Sequence, residues 1–128
     1  MALIAVVDDS QLARRFAAAS LKSAGHEVVE IEPASLEQVM DTLRELKPAV
    51  LILDQQMPTF SGSSLVRVCF EDHELSSLKV VMLTAHHDEE MERRMEKLGV
   101  HSVLHKPIGP LDLNRVVASL TEVPGSTP

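Results

Sequence analysis

The chain has no tryptophan, no tyrosine and only three phenylalanines among its 128 residues. That scarcity removes the ring platforms on which single-stranded nucleic acids stack. A single cysteine, Cys69, leaves no intrachain disulfide to form, and the composition fits a reducing, cytoplasmic setting. Five glycines and seven prolines are too few for collagen-like or low-complexity sequence. Long apolar runs are missing as well. Met1 to Val7 is apolar, but it is too short to span a bilayer or serve as a signal peptide, and acids follow it at once. Cations are in the minority: 12 basic against 19 acidic residues give −7, which repels a nucleic-acid duplex or an anionic membrane. Neither direct nucleic-acid binding nor membrane association is expected.

What is present is enough apolar residue, 45%, to build one core. Two cores would leave each half too small. The runs Leu3–Val7, Ala49–Leu53 and Val80–Leu83 are continuous rather than alternating. A strand apolar on both faces must be covered on both faces, which points to a parallel sheet between helical layers. Weaker strand patterns at Glu27–Ile31 and Ser102–His105 suit the edges.

Helical patterns fill the intervals. Ser10 is a fitting N-cap for a helix with Leu12, Phe16 and Ala19 on one face, stopped at Gly25. A second carries Leu36, Val39, Met40, Leu43 and Leu46 before Pro48; a third carries Leu65, Val68 and Cys69. A fourth carries Met91, Met95 and Leu98 before Gly99, and Pro110 opens a fifth with Leu113, Val116, Val117 and Leu120 inward. Five strand–helix alternations predict a doubly wound α/β fold, a five-stranded parallel sheet with helices on both faces. One domain over residues 1–122 is expected, with 123–128 a frayed tail or the stub of a linker.

Polar residues gather where these strands end. Asp8 and Asp9 follow the first strand, Asp54 the third, Thr84 the fourth and Lys106 the fifth. In an open α/β sheet those ends share one crevice. Three carboxylates there repel by about 3 kcal/mol per pair at roughly 5 Å and an effective dielectric of about 20. Such crowding calls for a positive group, and an all-oxygen set with open positions suits Mg²⁺ with a phosphate oxygen as a further ligand. Lys106 adds an ammonium and Thr84 a hydroxyl, so three phosphoryl oxygens could be neutralised while one carboxylate acts as nucleophile.

These residues make the chain resemble a response-regulator receiver domain, the phosphoacceptor of two-component signalling. The likeness rests on Val6-Val7-Asp8-Asp9-Ser10, on Asp54-Gln55-Gln56-Met57-Pro58 with Gly62, on Thr84-Ala85 and on Lys106-Pro107, and it spans residues 3 to 120. It implies the flavodoxin-like strand order 2-1-3-4-5, an order the chemotaxis relative of this family exemplifies. It also implies that Asp54 is phosphorylated by a histidine kinase or phosphotransfer protein. Asp9, Asp54 and the backbone carbonyl of Gln56 would hold Mg²⁺, with Asp8 acting through water. Lys106 would pair with the phosphoryl group and precede a cis peptide, and Thr84 would be the switch hydroxyl. Gln56 and His86 would flank the phosphoryl group and tune its lifetime. Such a domain is not an enzyme in its own right, although it catalyses its own phosphotransfer and dephosphorylation. Arg14 and Arg15 stand on the helix that docks the kinase in that family; output would pass through the fourth helix and fifth strand to a protein target, from a monomer or a phosphorylation-dependent dimer. The aromatic usual three positions before the lysine is replaced by Val103.

Plainer readings stand beside these. Asp8-Asp9 could only cap a helix, Thr84 only end a strand, and Lys106 only face solvent. His101 and His105 lie on a strand pattern and His86-His87 are adjacent, so neither pair suits one shared ion, and all four read as solvated imidazoles. Cys69 reads as a buried, inert thiol. An aspartate-nucleophile phosphatase of the haloacid-dehalogenase type is the enzyme alternative, yet it wants Asp-x-Asp where this chain has Asp8-Asp9-Ser10. A flavin module lacks its phosphate loop and rings here. A catalytically silent receiver used only for interaction is at odds with the complete set of five polar residues.

Overall fold

The structure is a computed structural model and describes residues 2–121; the tail expected at 123–128 lies outside them. In chain order the elements are β1 (Leu3–Val7), α1 (Gln11–Ser23), β2 (Glu27–Ile31), α2 (Leu36–Leu46), β3 (Val50–Asp54), α3 (Gly62–Glu71), a single 3₁₀ turn (His73–Leu75), β4 (Lys79–Thr84), α4 (Glu89–Leu98), β5 (Ser102–His105) and α5 (Pro110–Thr121). All five strands are parallel and ordered β2-β1-β3-β4-β5. No helix among the described residues is long and apolar enough to cross a membrane.

The continuous apolar strands are explained by two separate cores. Ile4, Val6, Val50, Ile52, Val81 and Leu83 point to one face, under α1 and α5. Ala5, Val7, Leu51, Leu53, Val80 and Met82 point to the other, under α2, α3 and α4. Period-two alternation thus survives, with both phases apolar. Each fully buried aliphatic side chain contributes about 1.5–3 kcal/mol, so the three central strands are the most firmly fixed part of the chain.

Helix ends follow the expected chemistry. Ser10, Ser35, Ser61 and Asp88 each accept a backbone N–H of the first turn of their helix. Gly25 and Gly99 take positive φ where α1 and α4 stop. At the end of α2 the left-handed turn falls on Lys47, just before Pro48.

Two helices turn apolar residues outward. Leu12, Phe16 and Ala19 do lie along one stripe of α1, but it is the outer one: Leu12 is 82% and Phe16 51% exposed. The inner stripe is Ala17, Ala18, Ser20 and Leu21. Small residues let the helix approach the sheet closely, so the stripe of lesser bulk faces in. Leu98, at the end of α4, is likewise 41% exposed. β3 and β4 also run one residue further than their apolar runs, taking Asp54 and Thr84 as their last paired residues.

One glycine is required by space alone. A Cβ on Gly62 would stand 2.6 Å from the backbone oxygen of Asp54 and 3.0 Å from Cα of Gln55. The Gly62 amide also donates to the Gln55 carbonyl at 3.0 Å, closing the loop between β3 and α3. Gly62→Ala is therefore expected to cost about 1–3 kcal/mol, the usual penalty for overpacking. A urea midpoint equal to the wild type's would show that the loop yields freely.

Candidate functional site

Parallel strands deliver their C-terminal ends to one edge, and five polar side chains meet there. Asp8 and Asp54 are buried, while Asp9 is exposed. One carboxylate oxygen from each of the three falls within 4.8 Å of the others. Lys106 leaves the end of β5 and places Nζ 3.0 Å from Asp8 Oδ2 and 3.3 Å from Asp54 Oδ1. Its backbone amide donates to the Thr84 carbonyl at 2.8 Å, and the Lys106–Pro107 peptide is cis. Residues 98 positions apart in sequence are thereby in contact.

Asp8 is held at every acceptor atom. Oδ1 accepts the Ser10 amide at 2.9 Å, Oδ2 accepts Lys106, and the backbone carbonyl accepts Arg14 Nη1 at 2.7 Å. Asp54 is less engaged: among the described residues, Lys106 is its one ion-pair partner. Burial pushes the Asp54 carboxyl above the usual range; the Lys106 charge pulls it down, and Asp8 pushes it up again. Burial acts the other way on Lys106, but the hydrogen bond to Asp8 and the charge of Asp54 outweigh it and leave the ammonium more firmly protonated than usual.

Thr84 is fully buried, and its hydroxyl is turned to the loop rather than to Asp54 or Lys106. Oγ1 accepts the His86 amide at 3.1 Å and lies 3.3 Å from both the His86 carbonyl and Gln56 Oε1, either of which can take its proton. The His86 and Gln56 side chains are exposed beside it.

Three features were not legible beforehand. His105 is not simply solvated: its Nε2 lies 3.0 Å from Glu92 Oε2, and its ring stacks on His87 with centroids 3.9 Å apart. Only the register, which pairs Thr84 with His105, could have placed it there. Arg14 turns inward to the site instead of outward to a partner, while Arg15 is exposed. Gln55 braces the loop, its Oε1 accepting the Ser63 amide at 2.8 Å. Cys69 behaves as expected, buried against Met40 with its thiol pushed up to about 12, chiefly by burial.

The donor set, three close carboxylates with one ammonium, fits a hard divalent cation such as Mg²⁺. Without it, the ionised Asp54 is a liability. A folded-state pKa above the unfolded one means that the folded protein binds the proton more tightly, so stability falls as pH rises through that range. In metal-free buffer Asp54→Asn is expected to melt several degrees higher than wild type at neutral pH. The gap should close as pH falls below the unfolded-state value of about 4, where the carboxyl is protonated in both the folded and the unfolded chain. A mutant that melts lower at neutral pH would contradict the assignment of the burden to Asp54.

A family model described as the response regulator receiver domain matches residues 4–118. The phosphate regulon transcriptional regulatory protein PhoB of Pseudomonas aeruginosa is 30% identical over 110 residues, 86% of this chain but 47% of that one. The chain thus spans about half the length of that relative. The polar-differentiation response regulator DivK of Brucella anthropi is 25% identical over 82% of this chain and 84% of its own. Among solved structures, the chemotaxis protein CheY4 of Vibrio cholerae superposes with a TM-score of 0.85 at 25% identity, covering 94% of this chain and 98% of that one.

Proposed function

Because the chain belongs to the response-regulator receiver family, we propose that Asp54 accepts a phosphoryl group from a histidine kinase or histidine phosphotransfer protein. The observation that carries this reading is Lys106 Nζ bridging Asp8 and Asp54 beside a third carboxylate. We take residues 1–122 as the receiver unit, 123–128 as tail or linker, and the cytoplasm as its place of action.

One Asp54 oxygen faces Lys106 and the other attacks. A P–O bond forms, the P–N bond of the phosphohistidine breaks, and its electron pair returns to the imidazole nitrogen. Lys106 stays beside the phosphoryl oxygens as charge develops on them. Asp8, Asp9, Asp54 and the Gln56 carbonyl would hold Mg²⁺, which when bound neutralises phosphoryl charge. Gln56 and His86, which meet at the Thr84 hydroxyl, would govern how readily water removes the group. The apolar groove of about 640 Å³ between α1 and the turn before α5, lined by Leu12, Phe16, Pro107 and Ile108 and reaching Lys106, is where the donor helices would seat.

The phosphorylated state would be read out through Thr84. Its hydroxyl already accepts the His86 amide, so turning toward a phosphoryl oxygen must release or drag that loop. His87, His105 and Glu92 continue the connection to α4, in a chain where Val103 has no ring to swing. That supports an output face on α4 and β5 for a protein target, from a monomer or a dimer formed on phosphorylation. A phosphatase reading fits less well, since Ser10 stands where the second carboxylate of Asp-x-Asp would be and both Asp8 oxygens already accept hydrogen bonds.

Acetyl phosphate with Mg²⁺ is expected to add about 80 Da to the wild-type chain, and nothing to a folded Asp54→Asn variant. A full gain in that variant would place the acceptor elsewhere.

A further inference from the structure

Arg14 occupies a position where a cation is out of place. It is the fourth residue of α1, near the positive end of the helix dipole, and the first turn carries no acid to offset it. Exposed basic residues there would point to solvent, as Arg15 does. Arg14 instead folds inward until its side chain is only 11% exposed. Its Nη1 donates to the Asp8 carbonyl at 2.7 Å, and its Nε lies 3.5 Å from Glu30 Oε1, near the end of the edge strand β2. A locally unfavourable residue kept in this way marks a constraint that something else depends on.

What depends on it is the turn that carries the carboxylates. Asp8 and Asp9 are consecutive, and the peptide between them begins at the carbonyl that Arg14 holds. The Asp8 side chain is fixed by Ser10 and Lys106, so Arg14 supplies the remaining restraint, on the backbone. Asp9, exposed and with no side-chain bond to a protein donor among the described residues, takes its direction from that peptide. We propose that Arg14, oriented by Glu30, is a positioning residue that aims the Asp9 carboxylate at the site shared with Asp8 and Asp54. This gives β2, otherwise remote from the chemistry, a part in it. It rests on the reading of the three carboxylates as the Mg²⁺ site.

The test is the half-saturating Mg²⁺ concentration, read both from the rise in melting temperature of the unphosphorylated protein and from the initial rate of phosphorylation by acetyl phosphate. Arg14→Ala is expected to raise the half-saturating Mg²⁺ about tenfold, the lower range for a group that acts through a metal ligand. Its rate at saturating Mg²⁺ should stay close to wild type, because Asp54 and Lys106 are untouched. Glu30→Gln should shift the midpoint in the same direction by less, and Lys22→Ala, which removes an exposed cation from the same helix, should leave it unmoved. An Arg14→Ala midpoint equal to wild type overturns the proposal, as does a shift in Lys22→Ala of equal size. If Arg14→Ala does not fold, Glu30→Gln decides, and an unchanged midpoint there overturns it. A wild-type rate indifferent to Mg²⁺ removes the metal reading itself and this inference with it.

Discussion

The lysine ammonium between two buried carboxylates is the interaction on which the rest of this molecule turns. Lys106 comes from the last strand, Asp8 from the first and Asp54 from the middle, so their contact closes only if the parallel sheet is correctly ordered. One positive charge does not balance three negative ones. Burial makes the shortfall worse at Asp54, whose ionised form is disfavoured by the same low-dielectric surroundings that would make it a poised acceptor. A further positive charge there would restore the balance.

That imbalance is tolerable because the scaffold beneath it is over-supported. The central strands are sealed between two apolar layers, and the carboxylates sit where those strands emerge. Chemistry is then placed on short, braced segments. The loop after Asp54 is held by the close approach of Gly62 and the Gln55–Ser63 bond, and the turn after Asp8 by Ser10 and Arg14. The loop after Thr84 is different. It is tied mainly through one hydroxyl and one stacked pair of imidazoles, which are easily exchanged contacts. The two carboxylate-bearing loops are thus braced by more contacts to fixed groups than the loop after Thr84.

Much of this was legible in the sequence. Continuous apolar runs give buried parallel strands, serine and glycine mark the helix ends, and strand-end polar residues must converge once the sheet is parallel. The strand order came from the resemblance, since periodicity carries no information on which strands are neighbours. Periodicity did not tell which stripe of α1 faces the sheet, because the helix bears two, Leu12–Phe16–Ala19 and Ala17–Leu21. The inward turn of Arg14 and the pairing of His105 with Glu92 were invisible for a different reason. Both join residues on separate elements, and only the packed register brings them together.

If the three carboxylates hold a divalent cation, as proposed, the melting temperature of the metal-free protein must respond to a Mg²⁺ series at constant ionic strength. Ligand that binds only the folded state adds RT ln(1 + [Mg²⁺]/Kd) to stability. The melting temperature should climb steadily through the millimolar range in wild type and stay nearly flat in Asp9→Asn. A wild-type curve that does not move with Mg²⁺ would contradict the proposal.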